Sequence, residues 1–238
     1  MRAAEIGGAR IWCSDRRGGV STGPYATCNV GDHVGDDPAA VAENRARIAA
    51  AAGLRPPSEW IWLHQVHGAV VHVADEPSED VPNADAAVTS VPGLPLVVVT
   101  ADCAPLVLAC EDAIGVVHAG HRGLLAGVIE RGAAQLGAMG LGPVRAFLGP
   151  CIRPDQYEFG ADDLARLVDH FGGDVASSTS DGRPSFDIPS AVRIALMRAG
   201  VAPEDISDSG VCTASSTDNF SYRRDGTTGR QATIAVLM

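Results

Sequence analysis

Lysine is absent from this 238-residue chain; each of its 18 basic residues is an arginine. That excludes a Schiff-base or pyridoxal-phosphate lysine and a Walker A phosphate loop, all of which need an amine. Positive charge of any kind is scarce. Against 29 acidic residues the formal net charge is −11, which argues against a nucleic acid or an anionic membrane as partner, because both need a basic face. No apolar run is long enough to span a bilayer, and the opening MRAAEIGGAR lacks the apolar centre of a signal peptide. A cytoplasmic location is the expectation. The six cysteines include no C-x-x-C pair, so a compact zinc ribbon is excluded, and in a reducing compartment a disulfide framework is not expected. Aromatic residues make up only 5% of the chain, so its core must be built from Ala, Val, Leu and Ile. The 46% apolar content suffices for one large core. With no internal repeat and no convincing linker, residues 1–238 are read as a single domain.

Local patterns predict a mixed α/β domain. Asp37-Pro38 reads as an N-cap with proline in the first helical turn, and Gly53 as the stop of that helix. Arg17 to Ser21 and Gly23 to Tyr25 read as turns. Trp60 to Leu63 and Val70 to Val73 read as short strands, and residues 75–84 as a polar, proline-containing loop. Leu96–Val99, Leu106–Ala109 and Ile114–Val117 are continuous apolar runs, the pattern of strands covered on both faces. A long helix is predicted from His121 to Met139, a strand over 144–148, helices over 161–171 and 189–199, a surface loop over 177–185, and a closing strand over 233–237.

Two of the buried runs end in polar residues. The run ending at Val99 leads to Asp102-Cys103, and the run ending at Val117 leads to His118. Polar side chains at strand ends are where sites are built on a rigid scaffold. A third cluster, His64-Gln65-Val66-His67-Gly68, follows the Trp-rich segment. A thiolate with imidazoles suits Zn²⁺, and three protein ligands with one open position is the catalytic pattern. The long spacings leave two other readings open: a Cys103–His118 nucleophile pair without metal, and a buried free cysteine beside two histidines with ordinary hydrogen bonds. His121 and Arg122 open the predicted long helix, where free N–H groups and a guanidinium form a candidate phosphate site. The equal alternative is a solvated first turn. Near the C-terminus Arg223, Arg224 and Arg230 cluster with Asp218 and Asp225, either completing an anion site or pairing with those carboxylates. Tyr157 and Phe159 either wall a pocket or belong to the core.

Taken together, these segments resemble the laccase-domain family, also called polyphenol-oxidase-like or peptidoglycan-editing-factor proteins. The resemblance runs in order through residues 16–45, HQVHG (64–68), residues 84–106, VVHAGHRG (116–123), LGPCI (148–152) and residues 212–232. It implies an α/β/β/α sandwich of mixed sheets, similar to a cysteine-hydrolase toxin-like fold, and zinc ligands at His67, Cys103 and His118. One departure stands out: the family usually has Trp where this chain has His121, which changes one wall of the expected pocket.

The resemblance also implies function. The leading expectation is a zinc-dependent purine nucleoside phosphorylase, taking adenosine, inosine, guanosine or 5′-methylthioadenosine with phosphate, and also deaminating adenosine. Arg122 would bind phosphate, with Arg223 and Arg224 as further candidates and His121 lining the site. Cys103 and His118 would be catalytic, and Asp102 would orient a ligand. Three alternatives stand beside it. One is a Cys103 amidase acting on a peptidoglycan precursor. Another is a copper polyphenol oxidase, disfavoured because a multicopper site needs on the order of ten histidines and the chain has seven. The last is a non-enzymatic zinc scaffold, with His64 or His121 as a fourth ligand.

Overall fold

Strands that are apolar on both faces must be covered twice, and the fold supplies both covers. The computed structural model describes every residue except residue 79, so at that position the predicted polar loop lies outside the described residues. The strands are β1 (Arg2–Ile6), β2 (Ala9–Cys13), β3 (Val71–Val73), β4 (Ala86–Thr89), β5 (Leu96–Thr100), β6 (Ala104–Ala109), β7 (Ile114–Ala119), β8 (Arg145–Leu148), β9 (Ala176–Ser178), β10 (Pro184–Phe186), β11 (Ile206–Asp208) and β12 (Gln231–Leu237). The helices are α1 (Pro38–Ala52), α2 (His121–Leu125), α3 (Val128–Met139), α4 (Ala161–Phe171), α5 (Ile188–Arg198) and α6 (Tyr222–Asp225).

Two sheets form the middle. The first has the order β1-β2-β12-β5 and is antiparallel throughout. The second has the order β11-β8-β6-β7-β4-β3, with parallel pairs at its two ends and antiparallel pairs between. Side chains alternate between strand faces, so Ile11, Leu96, Val98 and Ala235 meet Val107, Val116 and Ala87 in the space between the sheets. Val97, Ile234 and Val236 point the other way, onto Ile48 and Ala49 of α1. Leu106, Leu108 and Val117 leave the second sheet on its outer face and pack against α3 and α5 through Ile129, Leu136, Val192 and Leu196. The result is a mixed α/β fold of helix, sheet, sheet and helices, the layering expected.

Helix α1 forms where its caps predict. The Asp37 side chain accepts from the Ala39 N–H, and Gly53 ends the helix at φ 66°. Its buried face is small, comprising Val41, Asn44, Ile48 and Ala49. Asn44 makes up part of the difference with polar contacts. It is fully buried, donates to Ser21 Oγ and the Asn29 carbonyl, and accepts from the Val20 N–H, each at 2.8 Å.

Three expected elements differ. The predicted strand at Trp60–Leu63 is reduced to a single bridge between Ile61 and Leu96. Its two indoles stack at 5.7 Å and donate to the carbonyls of Arg55 and Pro57, which holds the segment in a local turn. The predicted helix at 121–139 is two helices. Gly127 adopts φ 79°, a left-handed conformation that ends α2 and lets α3 start in a new direction. The predicted loop at 177–185 is largely the turn of a small hairpin formed by β9 and β10.

Candidate metal centre and cleft

The β5–β6 connection carries the chain from one sheet to the other. Asp102 makes this reversal at φ 103° and leaves Cys103 at the start of β6. His118 lies in β7, opposite Pro105 of β6. His67 stands in the loop before β3, at φ 59°. Its Nε2 lies 3.9 Å from Cys103 Sγ, and its ring meets that of His118 edge-on at 4.8 Å. The ligand atoms of His67, Cys103 and His118 all lie within 4.8 Å of one another.

Asp85, at the mouth of β4, organises this group. It is fully buried. Its carboxylate accepts the backbone N–H groups of Val66, His67 and Gly68 at 3.2, 2.9 and 2.6 Å, a concave run of donors that favours an anion. It also accepts from His118 Nδ1 at 2.8 Å. A carboxylate only accepts, so Nδ1 keeps its proton, and Nε2 is the atom that would meet a ligand once its own proton is lost. Burial works against the charge of Asp85, but the His118 contact and the Gly68 N–H overcome it and hold the carboxyl below its ordinary range.

The electrostatics of the centre favour a thiolate. Burial pushes the Cys103 thiol up, but the nearby positive charge of His118 and hydrogen bonds from His118 and His67 more than offset this, bringing it down to about 6. Burial likewise opposes charge on His118, and the Cys103 thiolate and Asp85 raise it to about 9. Space is reserved as well. A Cβ on Gly120 would fall 2.9 Å from His67 Cδ2 and 3.1 Å from Cys103 Sγ, so any larger residue would crowd both. A thiolate and two imidazoles whose ligand atoms lie this close together could hold a metal ion.

The group lines a cleft of about 820 Å³ shared by both sheets. Other walls come from Trp62, His64, Val99, Thr100, Tyr222, Arg45 and Arg230. The remaining sequence-based candidates lie elsewhere. Asp102 turns its carboxylate away, accepting from the Thr213 hydroxyl and the Arg223 N–H. His121 and the exposed Arg122 line a separate depression with Asp163 and Arg166. The His121 ring rests edge-on against Phe159 at 5.3 Å, and Tyr157 and Phe159 pack on the buried Phe186. Arg223 lies over the Tyr157 ring and donates to the Glu158 carbonyl. Arg224 pairs with Asp225 and binds the carbonyls of Thr213, Ala214, Ser216 and Asn219. Among the described residues, neither His64 nor His121 joins the three-residue ligand group.

Sequence reasoning missed Asp85, the clearest organiser of the centre. The available signal was an acidic residue directly ahead of the apolar Ala86-Ala87-Val88, where a charge must be paired to be buried. It also passed over Arg45, which a helix heptad presents as just another solvated position.

The comparisons agree with this architecture. The chain is similar to purine nucleoside phosphorylase ORF3 of Streptomyces griseus, with 43% identity over 97% of this chain and 95% of the relative. It is also 43% identical to a purine nucleoside phosphorylase of Xylella fastidiosa, over 91% of this chain and 87% of that one. Among solved structures, YlmD from Geobacillus stearothermophilus superposes with a TM-score of 0.89 at 30% identity, over 97% of this chain and 92% of that chain. A Neisseria meningitidis protein, NMB0706, gives 0.88 at 33%, over 99% and 98%. The family model described as multi-copper polyphenol oxidoreductase laccase matches residues 10–238, and with nearly full-length relatives at this identity the chain belongs to that family.

Proposed function

We propose that the protein is a zinc-dependent purine nucleoside phosphorylase that also deaminates adenosine, acting as a single domain in the cytoplasm. The observation that carries this reading is the placement of His67, Cys103 and His118 together on one cleft that also presents arginine and aromatic side chains. The names of the relatives support the phosphorylase part of it. The substrates would be adenosine, inosine, guanosine or 5′-methylthioadenosine, with inorganic phosphate.

In phosphorolysis a phosphate oxygen forms the bond to the sugar C1′ while the C1′–N bond breaks. The electron pair of that bond leaves with the base, which takes up a proton, and the other product is ribose 1-phosphate, or 5-methylthioribose 1-phosphate from 5′-methylthioadenosine. In deamination, water adds its oxygen to the purine and the amino group leaves as ammonia. Zinc held by His67, Cys103 and His118 would supply Lewis acidity at the cleft. The chain's own residues do the rest. Asp85 fixes the His118 ring and the His67 loop. The exposed ring of Tyr222 offers flat apolar surface to a base. Arg230, at the cleft wall, offers charge to an anion.

A second reading draws on a specific arrangement: Cys103, His118 and Asp85 stand in the order nucleophile, base and orienting carboxylate. On that reading the protein is a Cys103 amidase for a peptidoglycan precursor, and metal inhibits it. A copper polyphenol oxidase or a zinc scaffold would show neither activity. Chromatography of adenosine, inosine and 5′-methylthioadenosine after incubation, with and without phosphate and alongside metal analysis, separates these readings. Phosphate-dependent release of free base, lost on chelation and restored by zinc, is expected. Intact nucleosides together with cleavage of a muropeptide precursor would replace the phosphorylase with the amidase.

A further inference from the structure

Eighteen arginines serve a strongly acidic protein, so an arginine left without a carboxylate beside a cleft stands apart. Two arginines line the cleft of the metal centre. Arg45 is committed: its Nη2 pairs with Asp32 at 3.1 Å, its Nε donates to the Val30 carbonyl, and its guanidinium lies 3.8 Å from the Trp62 ring centre. Arg230 is different. Among the described residues it has no ion pair. Its Nη1 donates to the Thr228 and Gly229 carbonyls, each at 3.0 Å, while Nε and Nη2 have no partner among the described residues. Those two nitrogens form one edge of the guanidinium, the edge that grips two oxygens of a carboxylate or phosphate side by side.

The residue is also held in place. Its backbone N–H donates to Asn29 Oδ1 at 2.8 Å, and its carbonyl accepts from Val30. The stem packs on Gly31, where a Cβ would lie 2.7 Å from Arg230 Cγ. A side chain immobilised in the free protein pays less to bind its ligand. Burial lowers the Arg230 guanidinium from its ordinary value, and the groups that most oppose this are Cys103 and Asp102, neighbours on the turn between β5 and β6.

We propose that Arg230 is the phosphate-holding residue of the cleft, gripping the tetrahedral oxyanion through Nε and Nη2 on the side of the cleft formed by the first sheet. This rests on the phosphorolysis reading above. It moves the anion site away from Arg122, whose exposed side chain belongs to a different depression. Arg223 and Arg224 remain bound to Glu158, Asp225 and backbone carbonyls.

The test compares the wild-type protein with Arg230→Gln, Arg230→Lys and Arg122→Gln. Inorganic phosphate is titrated in by calorimetry, and phosphate and inosine KM values are measured separately. Losing one charge-assisted two-point contact should weaken phosphate binding about ten- to a hundredfold in Arg230→Gln, with inosine KM within about twofold of wild type. Arg230→Lys, which keeps the charge and loses the fork, should fall between, and it carries the test if the glutamine variant does not fold. Arg122→Gln should match wild type. Unchanged phosphate affinity in both Arg230 variants, equal losses for phosphate and inosine, or absence of phosphate binding by the wild type would overturn the proposal. If phosphate binds through Arg230 but no nucleoside is cleaved, the assignment of Arg230 stands and the phosphorylase reading falls.

Discussion

Replacing Asp85 with asparagine keeps the shape of the side chain and removes its charge, so it isolates what the carboxylate does. In the native protein the two oxygens receive four N–H donors, from Val66, His67, Gly68 and the His118 ring. Each oxygen takes two of them. An amide has one oxygen, so two of the donors would face an NH₂ group instead. A buried donor left unpaired costs about 1–3 kcal/mol, giving a loss of about 2–6 kcal/mol. A domain of ordinary stability, about 5–15 kcal/mol, survives this, although a marginal one would not. The metal should suffer more selectively. Loss of the carboxylate that orients a ligating histidine typically weakens binding about 10–100-fold, and here the same group also shapes the His67 loop. The assay is competition for Zn²⁺ against a chromophoric chelator, with urea unfolding of the metal-free protein in parallel. Asp102→Asn serves as the contrast, since its carboxylate faces Thr213 and Arg223 rather than the ligands. Zinc affinity in Asp85→Asn equal to wild type would refute the claim that this carboxylate positions the centre.

Three further outcomes are expected. Gly120→Ala places a methyl group 2.9 Å from His67 Cδ2 and 3.1 Å from Cys103 Sγ; zinc affinity should drop while the far-UV circular dichroism stays native, and unchanged affinity would show that the pocket yields. Asn44→Ala leaves the Val20 N–H, Ser21 hydroxyl and Asn29 carbonyl without their partner and should cost about 2–4 kcal/mol in urea unfolding, with zinc still bound. Asp208→Asn removes a two-point ion pair with Arg153, whose bonds are 2.6 and 2.7 Å. Burial raises the Asp208 carboxyl, but the Arg153 bond outweighs it and lowers the net value. The pair therefore stabilises the fold fully above the ordinary carboxylate pKa of about 3.9 and is lost as pH falls through the lowered value. Thermal melts should separate the variant from wild type at neutral pH and converge in acid; a constant gap at all pH values would contradict this.

Much of the architecture was legible because local signals and global burial agreed. The apolar runs at 96–99, 106–109 and 114–117 had to be doubly covered, and two layers of helix cover them. The cap residues Asp37 and Gly53 bounded α1 correctly. Short strands at the chain ends and the edges, such as β1 and β11, carry too few apolar residues to announce themselves. Trp60–Leu63 misled because aromatic residues signal both strands and wedges; here indole hydrogen bonds to nearby carbonyls decide the matter. The break at Gly127 was hidden because a glycine is tolerated inside a helical pattern, and only its left-handed φ shows that the helix ends. At the centre, residue types pointed to Cys103, His118 and His67. Asp85 was signalled only by its place ahead of an apolar run, and Arg230 only as one of three clustered arginines; the role of each depends on which sheet edges meet, information that exists only in three dimensions. Arg122 illustrates the converse: its helix begins just after His118 in sequence, yet the side chain lines a separate depression.

The segment from Ile61 to Gln65 has a consequence for the protein among its own copies. β5 is the last strand of its sheet, and a bare last strand invites a neighbouring chain to pair with it. Here the Pro95 carbonyl, the Val97 N–H and both backbone groups of Val99 are already occupied. Ile61 donates to the Pro95 carbonyl and accepts from the Val97 N–H. The Gln65 carboxamide then imitates one more backbone rung, donating to the Val99 carbonyl and accepting from the Val99 N–H, both at 2.8 Å. The loop that delivers His67 thus also seals an aggregation-prone border. Loosening it would expose an unpaired strand at the same moment that it displaced His67, so loss of the His67, Cys103 and His118 grouping and self-association should set in together.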